Sequence, residues 1–104
     1  MNTRTVVTSP KVRAQIVEQM LYIAEDSIDN AFAWEERLMD AIRGLGRTSG
    51  YAIDQEASDR VGYPIQKLIF EGTYLVFYHV YEAGSEVRVV NFRHGARLPY
   101  GGEP

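Results

Sequence analysis

The sequence predicts an α+β fold of order β-α-α-β-β-β: a small antiparallel sheet with an N-terminal helical hairpin packed on one face. Two observations lead there. Apolar residues recur at helical spacing from Val12 to Leu45, and after Pro64 the period changes to two. Two turn signals, Glu71-Gly72-Thr73 and Glu82-Ala83-Gly84-Ser85, then divide the remaining apolar sequence into three strands.

The elements follow in order. Thr3 to Thr8, with adjacent Val6 and Val7, reads as a first strand. Ser9-Pro10 opens a helix, because Ser9 can accept from orphan amides and Pro10 loses no needed donor in the first turn. Val12, Ile16, Met20 and Ile23 form its apolar stripe, which Val17, Leu21 and Ala24 widen. Asp26 to Asp29 breaks the pattern, and Ser27 or Asp29 caps a second helix. Its apolar face is Ala31, Trp34, Leu38, Ala41, Ile42 and Leu45, and Gly44 and Gly46 offer a stop. So short a link makes the two helices an antiparallel hairpin. Trp34 belongs to the core, with its N–H on an acceptor. The hairpin is expected to pack through Ile16, Met20, Trp34, Leu38 and Ile42 against Val76 or Phe77.

Arg47 to Tyr63 is polar and glycine-containing, a long connector with room for one short helical turn. Ile65–Phe70, Tyr74–Tyr81 and Glu86–Phe92 are the three strands of a meander, and Leu98 to Pro104 is a frayed tail. Tyr74–Tyr81 is apolar at both parities. Tyr74, Val76, Tyr78 and Val80 share one face, and Leu75, Phe77, His79 and Tyr81 the other, so something must cover the second face.

Composition narrows the function. The 104 residues suit one domain, spanning 1–104. Hydrophobic residues make up 45% and charged residues 24%, as in ordinary globular chains. There is no cysteine, which excludes disulfides and zinc-thiolate sites. No apolar run approaches a membrane span and the first residues lack a signal-peptide core, so a cytoplasmic protein is expected. The net charge of −3 argues against broad electrostatic adhesion to nucleic acid. From Val87 onward the balance reverses: Arg88, Arg93 and Arg97 stand against Glu103. His79 and His94 lack the further ligands a metal needs, and no cofactor motif is present, so neither metal nor cofactor is expected.

Three stretches carry a family likeness: YIAEDSIDNAFAW after the first helix begins, LIFEGTYLVFYHV from Leu68 to Val80, and VVNFRHGAR from Val89 to Arg97. With the element order, the chain resembles the ParE/RelE toxin superfamily of type II toxin–antitoxin and plasmid-stabilisation modules. The resemblance implies a cognate antitoxin as partner and one of two targets. RelE-like members cut messenger RNA on the ribosome; ParE-like members inhibit DNA gyrase. RelE-like toxins carry two basic residues on the strand before the EGTY-type turn and an arginine shortly after its tyrosine. Here those places fall near Gln66 and Leu68, with Lys67 alone basic, and on Leu75.

The endoribonuclease set would therefore reduce to Lys67, Arg93, His94 and Tyr100. The histidine and arginine after the last strand resemble ParE instead, where Arg93, His94, Arg97 and Tyr100 would dock the target. RNA cleavage needs a base, an acid and a cation converging on one phosphate. A histidine such as His94 is a residue type that serves as acid or base. By period two, however, Arg93 and His94 point to opposite faces if both lie in the strand; otherwise His94 is a turn residue bonded to backbone. A gyrase-directed toxin, a ribosome-dependent endoribonuclease and an inactive relative kept as a binding module remain the alternatives.

Overall fold

The computed structural model describes residues 3–47, 53–81, 83 and 85–95. The elements are β1 (Thr5–Thr8), α1 (Pro10–Ala24), α2 (Ile28–Gly44), a 3-10 turn (Leu45–Arg47), α3 (Gln55–Val61), β2 (Gln66–Phe70), β3 (Tyr74–Tyr81) and β4 (Glu86–His94). The order is that expected, and the short helical turn allowed for in the connector is the seven-residue α3. Glu82 and Gly84 of the second turn, and the tail, lie outside the described residues.

The hairpin begins and turns on serines. Ser9 Oγ accepts from Val12 N–H at 3.2 Å, and Ser27 Oγ accepts from Asn30 N–H at 3.1 Å. Each thereby satisfies an amide that the first helical turn leaves without a partner. The buried arc of α2 is Ala31, Trp34, Leu38 and Ile42. With Val12, Ile16 and Leu45 it closes on Phe70, Val76, Tyr78, Val87, Val89 and Phe92 of the sheet. Val76 is thus the contact expected for the hairpin, whereas Phe77 belongs to the opposite face. Trp34 is 4% exposed, set among the rings of Phe70, Tyr74 and Phe92 at 5.2–6.4 Å. Its indole N–H meets no acceptor among the described residues, contrary to expectation, because the neighbours that enclose it are rings.

The sheet has strand order β1-β4-β3-β2. β2, β3 and β4 form the antiparallel meander, but β1 runs parallel to β4, with Thr5 opposite Glu86 and Thr8 opposite Val89. The sheet is therefore mixed, not wholly antiparallel. The reason lies in the connectivity. Two antiparallel helices return the chain to the end from which β1 left, and the even number of strand reversals that follows leaves β4 parallel to β1.

The expected long connector contains α3. Asp54 Oδ1 accepts from Ala57 N–H at 2.9 Å to cap its start, and Gly62, at φ 86°, ends it in the left-handed conformation. α3 lays Ala57 and Val61 over Phe77 and Ile65 on the sheet face opposite the hairpin. That is the cover which the two-sided apolar pattern of β3 required. It comes from the chain itself.

Candidate functional site

β4 carries the residues in question, and a bulge decides where they point. Tyr78 lies opposite Val89, whereas Phe77 lies opposite Asn91, so Val90 is the extra residue. The bulge reverses the parity of the strand. Val87 and Val89 face the hairpin before it, and Phe92 faces the hairpin after it. β4 also runs two residues past Phe92, to His94. His94 meets Tyr74 edge-on at 5.4 Å, on the hairpin side. Arg93 lies opposite Leu75 on the α3 side and is only 7% exposed. The two residues therefore do not share a site.

Lys67 shares the α3 face with Arg93: it sits opposite Phe77, one strand over. Its Nζ is 3.1 Å from Asp54 Oδ2, the same carboxylate that caps α3. Partial burial pushes the Asp54 pKa up, but the Ala57 amide and Lys67 outweigh it, and the carboxyl lies below its ordinary value. Lys67 thus serves as the anchor of a helix cap. Leu75 stands between Ile69 and Arg93 across the three strands, an apolar residue at the centre of that face. Arg97 and Tyr100 lie outside the described residues.

Gly95 has a packing reason. Its N–H donates to Thr73 O at 2.6 Å, and a Cβ there would come within 2.8 Å of the same oxygen. The end of β4 is thereby fastened to the Glu71-Gly72-Thr73 turn. That turn holds Glu71 and Gly72 at φ 52° and 69°, and Glu71 accepts from Arg37 Nε of α2 at 2.6 Å. Two of the stretches that carry the family likeness, EGTY and FRHG, meet at this one corner. Tyr74 leads away from it. Burial, then the Glu71 charge, raise its pKa against a weak opposing bond from Gln19 Nε2.

His79 is a packed residue. Its Nδ1 is 2.6 Å from Pro64 O, and Tyr63 and Tyr81 flank its ring at 4.8 and 4.6 Å. Among the described residues no three His, Cys, Asp or Glu side chains gather as a metal ion would need. No helix among them is long and apolar enough to cross a membrane.

The hairpin shows what the sequence reading missed. Val17 and Leu21 were expected to widen the buried stripe of α1, yet they are exposed, Leu21 at 65%. The buried arc of α1 is narrow because Gln15 and Gln19 take the adjoining positions. Gln15 Oε1 accepts from Phe92 N–H at 3.0 Å and Gln15 Nε2 donates to Asn91 Oδ1 at 2.7 Å, satisfying the edge of β4 beyond the last residue of β1. Tyr22, Ile28 and Phe32 are exposed too. All five lie on the two helices of the hairpin, where Glu18, Glu25, Asp26 and Asp29 are exposed as well. The signal was present in α2: Ile28 and Phe32 fall outside the arc of Ala31, Trp34, Leu38 and Ile42, a second apolar stripe that one core cannot absorb.

No protein-family model matches the chain, and no curated protein matches it significantly.

Proposed function

We propose that the protein is the toxin of a type II toxin–antitoxin module, closer to ParE than to RelE, acting on DNA gyrase and silenced by a cognate antitoxin. The observation that carries this reading is the exposure of five large apolar side chains on the helical hairpin: Val17, Leu21, Tyr22, Ile28 and Phe32. Exposed clusters of large apolar side chains mark sites of association. A partner helix with its own apolar stripe and basic flanks would cover exposed apolar side chains of the hairpin and meet nearby carboxylates. A segment laid across both the sheet and the helices, as the two-sided apolar pattern of β3 suggested, is narrowed to the hairpin, since α3 covers the second face of the sheet.

The gyrase reading is supported by what the RNase set lacks. Lys67 is held by Asp54, Leu75 occupies the arginine place of the RNase relatives, and His94 lies on the other side of the sheet from Arg93. An acid, a base and a cation for one phosphate do not converge among the described residues. One observation favours the endoribonuclease alternative: Lys67 and Arg93 do share a face.

Paired assays on the purified protein test the proposal. Gyrase supercoiling should be inhibited with accumulation of cleaved DNA, and inhibition should weaken when residues after Phe92 are removed with the fold intact. Messenger RNA on programmed ribosomes should remain uncut. Ribosomal cleavage abolished by Arg93→Ala or His94→Ala would replace gyrase with the RelE-like activity. Silence in both assays, with antitoxin still bound, would leave the inactive binding relative.

A further inference from the structure

Helix α1 carries two apolar stripes. Val12 and Ile16 are buried in the core. Ala14, Val17, Leu21 and Ala24 follow one another at intervals of three, four and three residues. At 3.6 residues per turn they make a second stripe, centred well away from the first. Val17 and Leu21 are 51% and 65% exposed, Ala14 is exposed and Ala24 half-buried. Intervals alternating between three and four are the a and d spacing at which helices pack side by side.

Charges frame the stripe and select its occupant. Arg13 takes the g position before Ala14, and Glu18 the e position after Val17. Both are exposed, and among the described residues neither forms an ion pair. Nor do they reach each other along one helix, where third and fourth neighbours meet and fifth neighbours do not. Between two parallel copies in register, a g residue meets the e residue five positions on in the other copy. Arg13 of each copy then faces Glu18 of the other, two pairs related by one two-fold axis. An antiparallel pair would set e against e, placing Glu18 against Glu18 beside the Val17 and Leu21 layers, and like charges oppose it. A foreign helix of one charge sign suits only one flank of the stripe. A second copy suits both.

We propose that the protein self-associates through α1, two copies packing in parallel and in register along Ala14, Val17, Leu21 and Ala24. Each helix is already folded on its own sheet, so association orders no new backbone. The contact is one helix wide, smaller than a standard interface, so the dimer is weak and forms at high micromolar concentration. A partner helix covering Leu21 excludes the second copy, so the dimer and such a complex are alternatives. The proposal rests on the pattern of α1 and not on the toxin reading.

Sedimentation velocity on the full chain, from micromolar to millimolar concentration, tests it. A reversible monomer–dimer equilibrium is expected. Leu21→Ser should abolish it, with circular dichroism reporting that the fold is kept. Arg13→Glu should weaken the dimer by about tenfold, and Arg13→Glu combined with Glu18→Arg should restore it. The chain has no cysteine, so Leu21→Cys supplies a single thiol. Parallel register sets that thiol opposite its twin, within disulfide reach. Oxidation should cross-link this variant but not Phe32→Cys, at a position 63% exposed on α2. A monomer at millimolar concentration would overturn the proposal. So would a dimer that Leu21→Ser leaves intact, a charge reversal without rescue, or equal cross-linking of the two cysteine variants.

Discussion

The two faces of the sheet are sealed by different means. On one, helices of 15 and 17 residues bury a cluster centred on Trp34, Leu38, Val76 and Phe92. On the other, a helix of seven residues covers Phe77 with little more than Ala57, Val61 and Ile65. A helix so short has no stability of its own. It is held by the Asp54 cap, by Lys67 on the same carboxylate, and by Ser58, whose Oγ accepts from Ile65 N–H at 2.8 Å. The first face rests on apolar area and the second on a few polar bonds. The second is therefore where local opening takes least free energy, and it is the face that carries Lys67 and Arg93.

Substitutions at four positions sharpen this contrast, from the largest effect to the smallest. Trp34→Ala should destabilise the whole protein by about 3–5 kcal/mol, since it empties the centre of the hairpin face; chemical denaturation reads the loss. A midpoint that barely moved would mean the two faces are not unequal.

Asp54→Ala should cost about 1–2 kcal/mol through the lost cap. Its effect should be local: amide exchange in α3 accelerates while the hairpin stays protected. The pH dependence has a definite sign. Because the Asp54 carboxyl lies below its ordinary value when folded, its contribution is complete above the unfolded value of about 3.9. It is lost as pH falls through the folded value. Acid titration followed by amide exchange should loosen α3 before the hairpin, and Asp54→Asn should remove that difference.

Leu21→Ser and Phe32→Ser should change stability by no more than about 0.5 kcal/mol, since both side chains are already in water. If the proposed toxin reading holds, both should weaken antitoxin capture, measured by titration calorimetry. A large loss of stability would show that these side chains are packed.

Much of this architecture was legible in the sequence because it follows from local rules. Ser9, Ser27 and the apolar period gave the hairpin, and the turn residues gave β2, β3 and β4. What escaped depends on longer-range choices. The direction of β1 is set by its partner, which the period of a four-residue strand does not encode. α3 is short and polar, and its helical character rests on Asp54 and Gly62 more than on any stripe. The bulge at Val90 sits in an apolar run, VRVVNF, that gives no warning of an extra residue. At the candidate site, alternation separates Arg93 from His94 only because β4 runs to His94, two residues past the expected end at Phe92. The engagement of Lys67 with Asp54 did not, since it joins residues from two elements of which one had been read as loop.

The pairing of β1 with β4 also fixes an order of events in time. Thr5 meets Glu86 across roughly 80 residues of sequence, a closure that belongs to the slow end of folding. During synthesis the hairpin emerges first and can begin to coil, but β1 has no neighbour until the last strand has left the ribosome. The pairing of β2 with β3 can form before that moment, whereas the complete sheet cannot. The side of the sheet that β1 occupies therefore stays open in the nascent chain until β4 has been made.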